Sequence, residues 1–291
     1  MAKSQKSGIQ VRRARDALIE QLDKIINALQ RRKLTDETVH EARKGIKRSR
    51  AILRLLRHVI GAITYRRENK LLRDAARPLT ALRDAKALIE TLQQLVRKGL
   101  HIPLTRLLKD DLDRCREALS PQRVLDVTAS LQDVRRRLED IDEKAVKRMI
   151  TRKDMDRMYR KGRSAFAEAR KSGTDGRLHE WRKQVKYLLH QVELVRGFGV
   201  RHLAKPRRQA DRLAETLGDD HDLAVLESKI RGFEVAGKLH RPDGTPDGAT
   251  DALEKRLERR RSALQRKARR LGSSLFAAKR HLIKKWRMSK P

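Results

Sequence analysis

A single cysteine, Cys115, stands in 291 residues, so no intrachain disulfide forms and a thiolate zinc site is excluded. A reducing, cytoplasmic compartment fits that usage, and Cys115 is expected to be an inert buried thiol. Residues 1–8 contain no apolar core, and no run approaches the roughly 18 apolar residues that mark a membrane-spanning helix. Neither signal-peptide secretion nor membrane insertion is expected. Asp16, Glu20 and Asp23 in the first helical stretch disfavour a transit peptide. Aromatic residues make up 3%, which weakens the case for a single-strand binder that stacks bases on rings. Trp181, Tyr187, Phe166 and Phe198 are expected in the core. The phosphate loop Gly-x4-Gly-Lys-[Ser/Thr] is missing, as is His-Glu-x-x-His; His40-Glu41 and His179-Glu180 lack the second zinc histidine. No enzyme activity, cofactor or metal is therefore expected.

What is abundant is positive charge. The net charge is +35, from 73 Lys and Arg against 38 Asp and Glu. A surplus of this size opposes compaction and exceeds what solubility requires, so it favours a polyanionic partner. DNA, RNA, an acidic membrane surface and inorganic polyphosphate are the candidates. Charged residues reach 38%, and Ala, Leu, Arg, Lys and Glu dominate, a composition that reads as all-α. Periodic leucines argue against wholesale disorder.

Periodicity places helices over 9–32, 35–61, 63 to a bend or stop before Pro78, and onward to Gly99. Further helices are expected over 103–119, 122–148, 151–171, 174–196, 201–217, 219–236 and 249–286, with a loop at 237–248 and a basic tail at 279–287. In the second of these, Ala42, Ile46, Ser49, Leu53 and Leu56 form a seam at three- and four-residue steps. Beside that seam runs a second stripe of His40, Arg43, Lys44, Lys47, Arg50 and Arg54. The arrangement recurs around Leu178, Trp181, Val185 and Leu188, flanked by His179, Arg182, Lys183 and Lys186. Like charges at this spacing destabilise a free helix, so two such rows call for an anion.

His40 and His179 lie 179 − 40 = 139 residues apart. A second pair, Leu82–Leu88 and Leu217–Leu223, matches Asp84 to Asp219 at 219 − 84 = 135. Two matched elements in the same order suggest a tandem duplication. The simplest architecture is two four-helix-type bundles, 9–120 and 121–288, related by a pseudo-twofold after a flexible tail at 1–8.

The motif [Val/Leu]-His-x-x-Arg over Val39–Lys47 and Leu178–Lys186, with Leu-x-x-Leu-Arg-Asp-x-x-x-Leu over Leu79–Leu88 and its variant over Ala214–Leu223, resembles the CHAD domain, the conserved histidine α-helical domain. The resemblance covers about residues 9–286. It implies an all-α fold of two four-helix bundles around a basic central cavity. It also implies recognition of inorganic polyphosphate and association with polyphosphate granules in bacteria. The Glu-x-Glu-x-Lys mark of the CYTH domain, fused in some relatives, does not occur, so a stand-alone module is expected. Lys86 and His221-Asp222 depart from the usual residues of the second motif.

His40 and His179 read either as core histidines satisfied by a neighbour or as donors to phosphate oxygen. Arg43, Lys44, Lys47, Arg50, Arg54, Arg182, Lys183 and Lys186 read either as a solvated face or as phosphate contacts. Arg73, Arg77, Arg83, Arg207, Arg208 and Arg212 could line the same groove or be bland surface. Asp84 and Asp219 are expected to be structural, pairing with arginine or capping a helix. Asp219–Asp222 could in principle hold a hard cation, but only one half carries the cluster. The favoured function is non-enzymatic binding of inorganic polyphosphate by a monomer. The alternative is a general nucleic-acid-binding protein, with polyphosphate processing as a third class.

Overall fold

A computed structural model describes residues 9–31, 34–96, 102–200, 202–239 and 248–277. The expected tail at 1–8, the basic stretch at 279–287 and most of the 237–248 loop lie outside the described residues. Among those described, two short strands and ten helices run in the order β1 (Ile9–Gln10), α1 (Val11–Leu29), α2 (Asp36–Ile60), α3 (Ala62–Leu95), α4 (Ile102–Ala118), α5 (Pro121–Glu139), α6 (Glu143–Val146), β2 (Met149–Ile150), α7 (Arg152–Ser172), α8 (Asp175–Gly197), α9 (Ala204–Val235) and α10 (Gly248–Leu275). The fold is all-helical apart from the strand pair.

Local chemistry sets several boundaries. The Thr35 hydroxyl accepts from the Thr38 amide at 3.2 Å and starts α2, with Asp36 and Glu37 complementing the helix dipole. Ser120 accepts from the Arg123 amide ahead of Pro121 at the first turn of α5. The Asp154 carboxylate accepts from the Thr151 amide at 2.8 Å as α7 begins, and Gly173 ends that helix at a positive φ of 64°.

Three boundaries differ from expectation. No stop occurs before Pro78, and α3 runs through it. Proline removes one helical donor at a cost of about 3 kcal/mol. Leu72, Ala75, Ala76, Leu79 and Leu82 are buried on both sides of it and keep the helix continuous. The helices expected over 201–217 and 219–236 are one, α9. Gly218 costs that helix about 1 kcal/mol, which burial of Leu213, Leu217, Leu223 and Leu226 outweighs. Conversely, the helix expected over 122–148 stops at Asp140, and the chain then pairs Met149–Ile150 antiparallel with Ile9–Gln10. Such two-residue strands carry no periodicity to read.

Neighbouring helices pack α1 on α2 and α5, α2 on α3, α7 on α8, α8 on α9, and α9 on α10. Helix α5 packs on α1 and α3, and beyond it the first and second halves of the chain meet along α2–α8 and α3–α9. One hydrophobic cluster draws on α1, α2, α5, α7, α8, the first part of α3 and the first part of α9. A second is built from the later turns of α3 and α9 with α4 and α10. Trp181, Phe166 and Tyr187 are buried as expected, while Phe198 is partly buried and Cys115 is half-buried rather than buried.

Candidate functional site

Where α2, α3, α8 and α9 converge, a cleft of about 370 Å3 opens. From α2 it takes Arg43, Lys47 and Arg50, each on the face one step round from the buried Ala42–Ile46–Ser49–Leu53 seam. Helix α3 contributes Arg73, Arg77, Thr80 and Asp84. Helix α8 contributes His179, Arg182, Lys183, Lys186, Tyr187 and His190, and α9 contributes His221. The three-and-four spacing of the cationic rows is what lets two helices present them to one space.

The electrostatics of this cleft are one-sided. Burial pushes the Lys47 amine down to about 7, helped by the charges of Arg43, Arg182 and Lys186. Burial and the same two guanidinium groups, Arg182 and Arg43, push Lys186 down to about 8. Neither amine has a hydrogen bond or ion pair among the described residues. The Nε atoms of Arg43 and Arg182 are buried without a partner. Two carboxylates temper the charge: Asp84 Oδ1 accepts from Arg43 Nη2 at 2.8 Å, and Asp222 acts on Arg182. The sequence match pairs Asp84 with Asp219; burial raises the Asp219 carboxyl above the ordinary range, opposed by Lys267 and Arg260 of α10 and by Lys186 of the cleft.

The two histidines differ. His179 lines the cleft with its ring 4.8 Å from that of His221. His40 does not line the cleft; its Nδ1 accepts from Arg83 Nε at 3.1 Å. Both are held below the ordinary histidine value, first by burial and then by Arg83 at His40 and by Arg182 at His179. His221 is pushed further, to about 3, by burial and by Arg182. All three rings are therefore neutral near pH 7.

The remaining predicted residues divide. Lys183 lines the cleft and pairs with Glu180, and Arg50 donates to Asn69 Oδ1 at 3.0 Å. Lys44 pairs with Glu41 outside the cleft, and Arg54 lies over the Tyr187 ring at 4.6 Å. Arg83 lines a separate cleft with Asp219, Asp222, Arg256, Arg259 and Arg260. Arg207 pairs with Glu193 and Asp211 in a different surface cleft, which shares His190 with the first. Arg208 and Arg212 are exposed and outside the cleft at the four-helix convergence. Sequence reasoning passes over His190 and Thr80, reads Tyr187 as core, and treats His221 only as a departure in the second motif and part of a possible cation cluster. Tyr187 follows Lys186 directly and reads as core from the sequence, which its burial also supports. The four-residue run Asp219–Asp222 does not act as one unit: Asp220 is buried against Arg261 and Gln265, while His221 turns to His179.

A family model described as the CHAD domain matches residues 16–231. The chain belongs to the CHAD domain family. The crystal structure of the CHAD domain from the plant Ricinus communis is similar in fold to this CHAD chain, with a TM-score of 0.62 over 97% of this chain and 96% of that one, at 16% identity. No curated protein matches the sequence. For this CHAD chain, no described helix is long and apolar enough to cross a membrane.

Proposed function

We propose that this CHAD protein is a non-enzymatic binder of inorganic polyphosphate and that the α2–α3–α8–α9 cleft holds the polymer. The observation that carries the reading is the cluster of Arg43, Lys47, Arg182 and Lys186, cations brought out of water with too few acids to neutralise them. Such an arrangement costs folding energy unless an anion completes it. Guanidinium forks bind phosphate oxygens bidentately and amines act as point charges, so a uniform chain of phosphates suits the lining without any sequence readout. The family resemblance points the same way, including to residence at polyphosphate granules in a cytoplasmic setting.

The cleft is read as the basic centre of a pseudo-twofold repeat. Two matched pairs of interactions support that reading. His40 meets Arg83 as His179 meets His221, at offsets of 179 − 40 = 139 and 221 − 83 = 138. Arg43 meets Asp84 as Arg182 senses Asp222, again offset by 139 and 138. The second motif thus aligns on His221-Asp222 as the counterpart of Arg83-Asp84.

The net charge of +35 also favours a second reading, general nucleic-acid binding by the same surface. Competition at fixed salt separates the two. Polyphosphate should displace the protein from DNA far more readily than an equal charge concentration of DNA displaces polyphosphate. Equal displacement would favour nucleic acid. Release of phosphate on incubation with polyphosphate and Mg2+ would instead make the protein an enzyme.

A further inference from the structure

A second cationic cavity, of about 340 Å3, lies between the end of α2, the start of α3 and the first turns of α7. Arg54 and Arg57 of α2 and Arg157 and Lys161 of α7 line it, with His58 beside them. The carboxylate in its lining, Asp154, is already committed: it accepts from the Thr151 amide at 2.8 Å and sits 2.9 Å from His58 Nε2. Arg157 reaches that carboxylate only at 4.0 Å and otherwise meets the His58 ring. Lys161 has no hydrogen bond or ion pair among the described residues. Burial and the charges of Arg54, Arg57 and Arg157 hold its amine below the ordinary lysine value. The first turn of α3 opens onto the same space, since Gly61 and Ala62 line it and Gly61, at a φ of 83°, offers no side chain to cap that turn.

We infer that this cavity is a separate binding site for a single tetrahedral phosphate group, held by Arg57, Arg157 and Lys161. Three cations on two helices surround a space wide enough for one oxyanion. Arg54 joins the two sites. Its guanidinium lies over Tyr187, which lines the larger cleft, and the same side chain walls the smaller cavity. The phosphate could therefore be free inorganic phosphate, or the end group of a chain lying in the larger cleft. The inference stands independently of the polyphosphate reading in the first case and rests on it in the second.

The His58 ring, within the cavity, is the reporter. Its proton resonances are followed by NMR in the full chain at constant ionic strength and pH, while inorganic phosphate is added, and separately while short-chain polyphosphate is added. A saturable shift is expected. The Arg57→Gln, Lys161→Gln double variant should weaken the apparent affinity about tenfold or more, since it removes two charge-assisted contacts. Thermal melting by circular dichroism checks that this variant stays folded. A shift with inorganic phosphate that persists in the Lys47→Gln, Lys186→Gln variant identifies the free anion as occupant. A shift with polyphosphate alone, lost in that same variant, identifies a chain end. The inference is overturned if neither ligand gives a saturable shift, or if the double variant at Arg57 and Lys161 shifts as the parent does.

Discussion

Lys47 of α2 and Lys186 of α8 repel each other across the helix pair that joins the two halves of the chain, and neither is paired with a carboxylate of its own among the described residues. The folded state therefore carries an electrostatic penalty at the place where the ligand is proposed to bind.

Replacing Lys47 with methionine should separate stability from binding. A lysine whose folded value is about 7 against 10.5 unfolded makes stability rise with pH between those values and leaves the full penalty below them. Lys47→Met removes the penalty while keeping the apolar stem. The expected gain is roughly 1–3 kcal/mol near pH 7, read as a higher melting temperature, together with weaker polyphosphate binding. A variant that melts lower would contradict the assignment.

Polyphosphate affinity should fall as pH rises from 6.5 to 9. Lys47 and Lys186, at about 7 and about 8 in the free protein, lose charge over that range, so binding above pH 7 must take up protons. Calorimetry in buffers of different ionisation enthalpy measures that uptake. An affinity flat across the range would remove both amines from the site.

Asp84→Asn should tighten anion binding. The substitution frees the Arg43 fork and lowers the negative charge at the cleft, while Asp84 is half exposed, so the missing ion pair is worth only about 0–1 kcal/mol of stability. Binding that weakens instead would make Asp84 an organiser of Arg43 rather than a restraint on it.

Salt dependence should rank the lysines. Removing one cation that meets a phosphate should reduce the slope of log affinity against log salt by roughly one. Lys47→Ala and Lys186→Ala should each lower it, and Lys44→Ala, paired with Glu41 outside the cleft, should leave it nearly unchanged. Filter binding at several salt concentrations gives the slopes.

Gly45→Ala should loosen the histidine helix from α1. A Cβ there would lie 2.7 Å from the Ile25 side chain, in the buried seam between the two helices. A loss of about 1–3 kcal/mol is expected from overpacking, measured by denaturant unfolding.

Much of this arrangement is legible in the chain itself, because a 3.6-residue period leaves a direct trace. The seams of α2 and α8 are buried as spaced, and Arg43, Lys47, Arg50, Arg182, Lys183 and Lys186 beside them reach the cleft while Lys44 and Arg54 do not. Thr35, Ser120 and Gly173 end or begin helices through their own side chains or lack of one. What escapes is whatever tertiary packing decides. Pro78 and Gly218 carry local signals to stop, and buried leucines on both sides overrule them. Arg207 sits near the second motif in sequence but turns to Glu193 and Asp211. His221 is found only once α9 is laid across α8, since nothing in Asp219–Asp222 says which side chain meets His179.

The unbroken passage of α3 through Pro78 has a mechanical consequence. This helix and α9 each lodge one end in either hydrophobic cluster, so they act as crossbeams between them. Among the described residues, the width of the gap that they border is set by two continuous helices anchored at both ends. A threadlike anion would enter a ready-made trough, and the ordering expense of capture would fall on the visitor and leave the host nearly untouched.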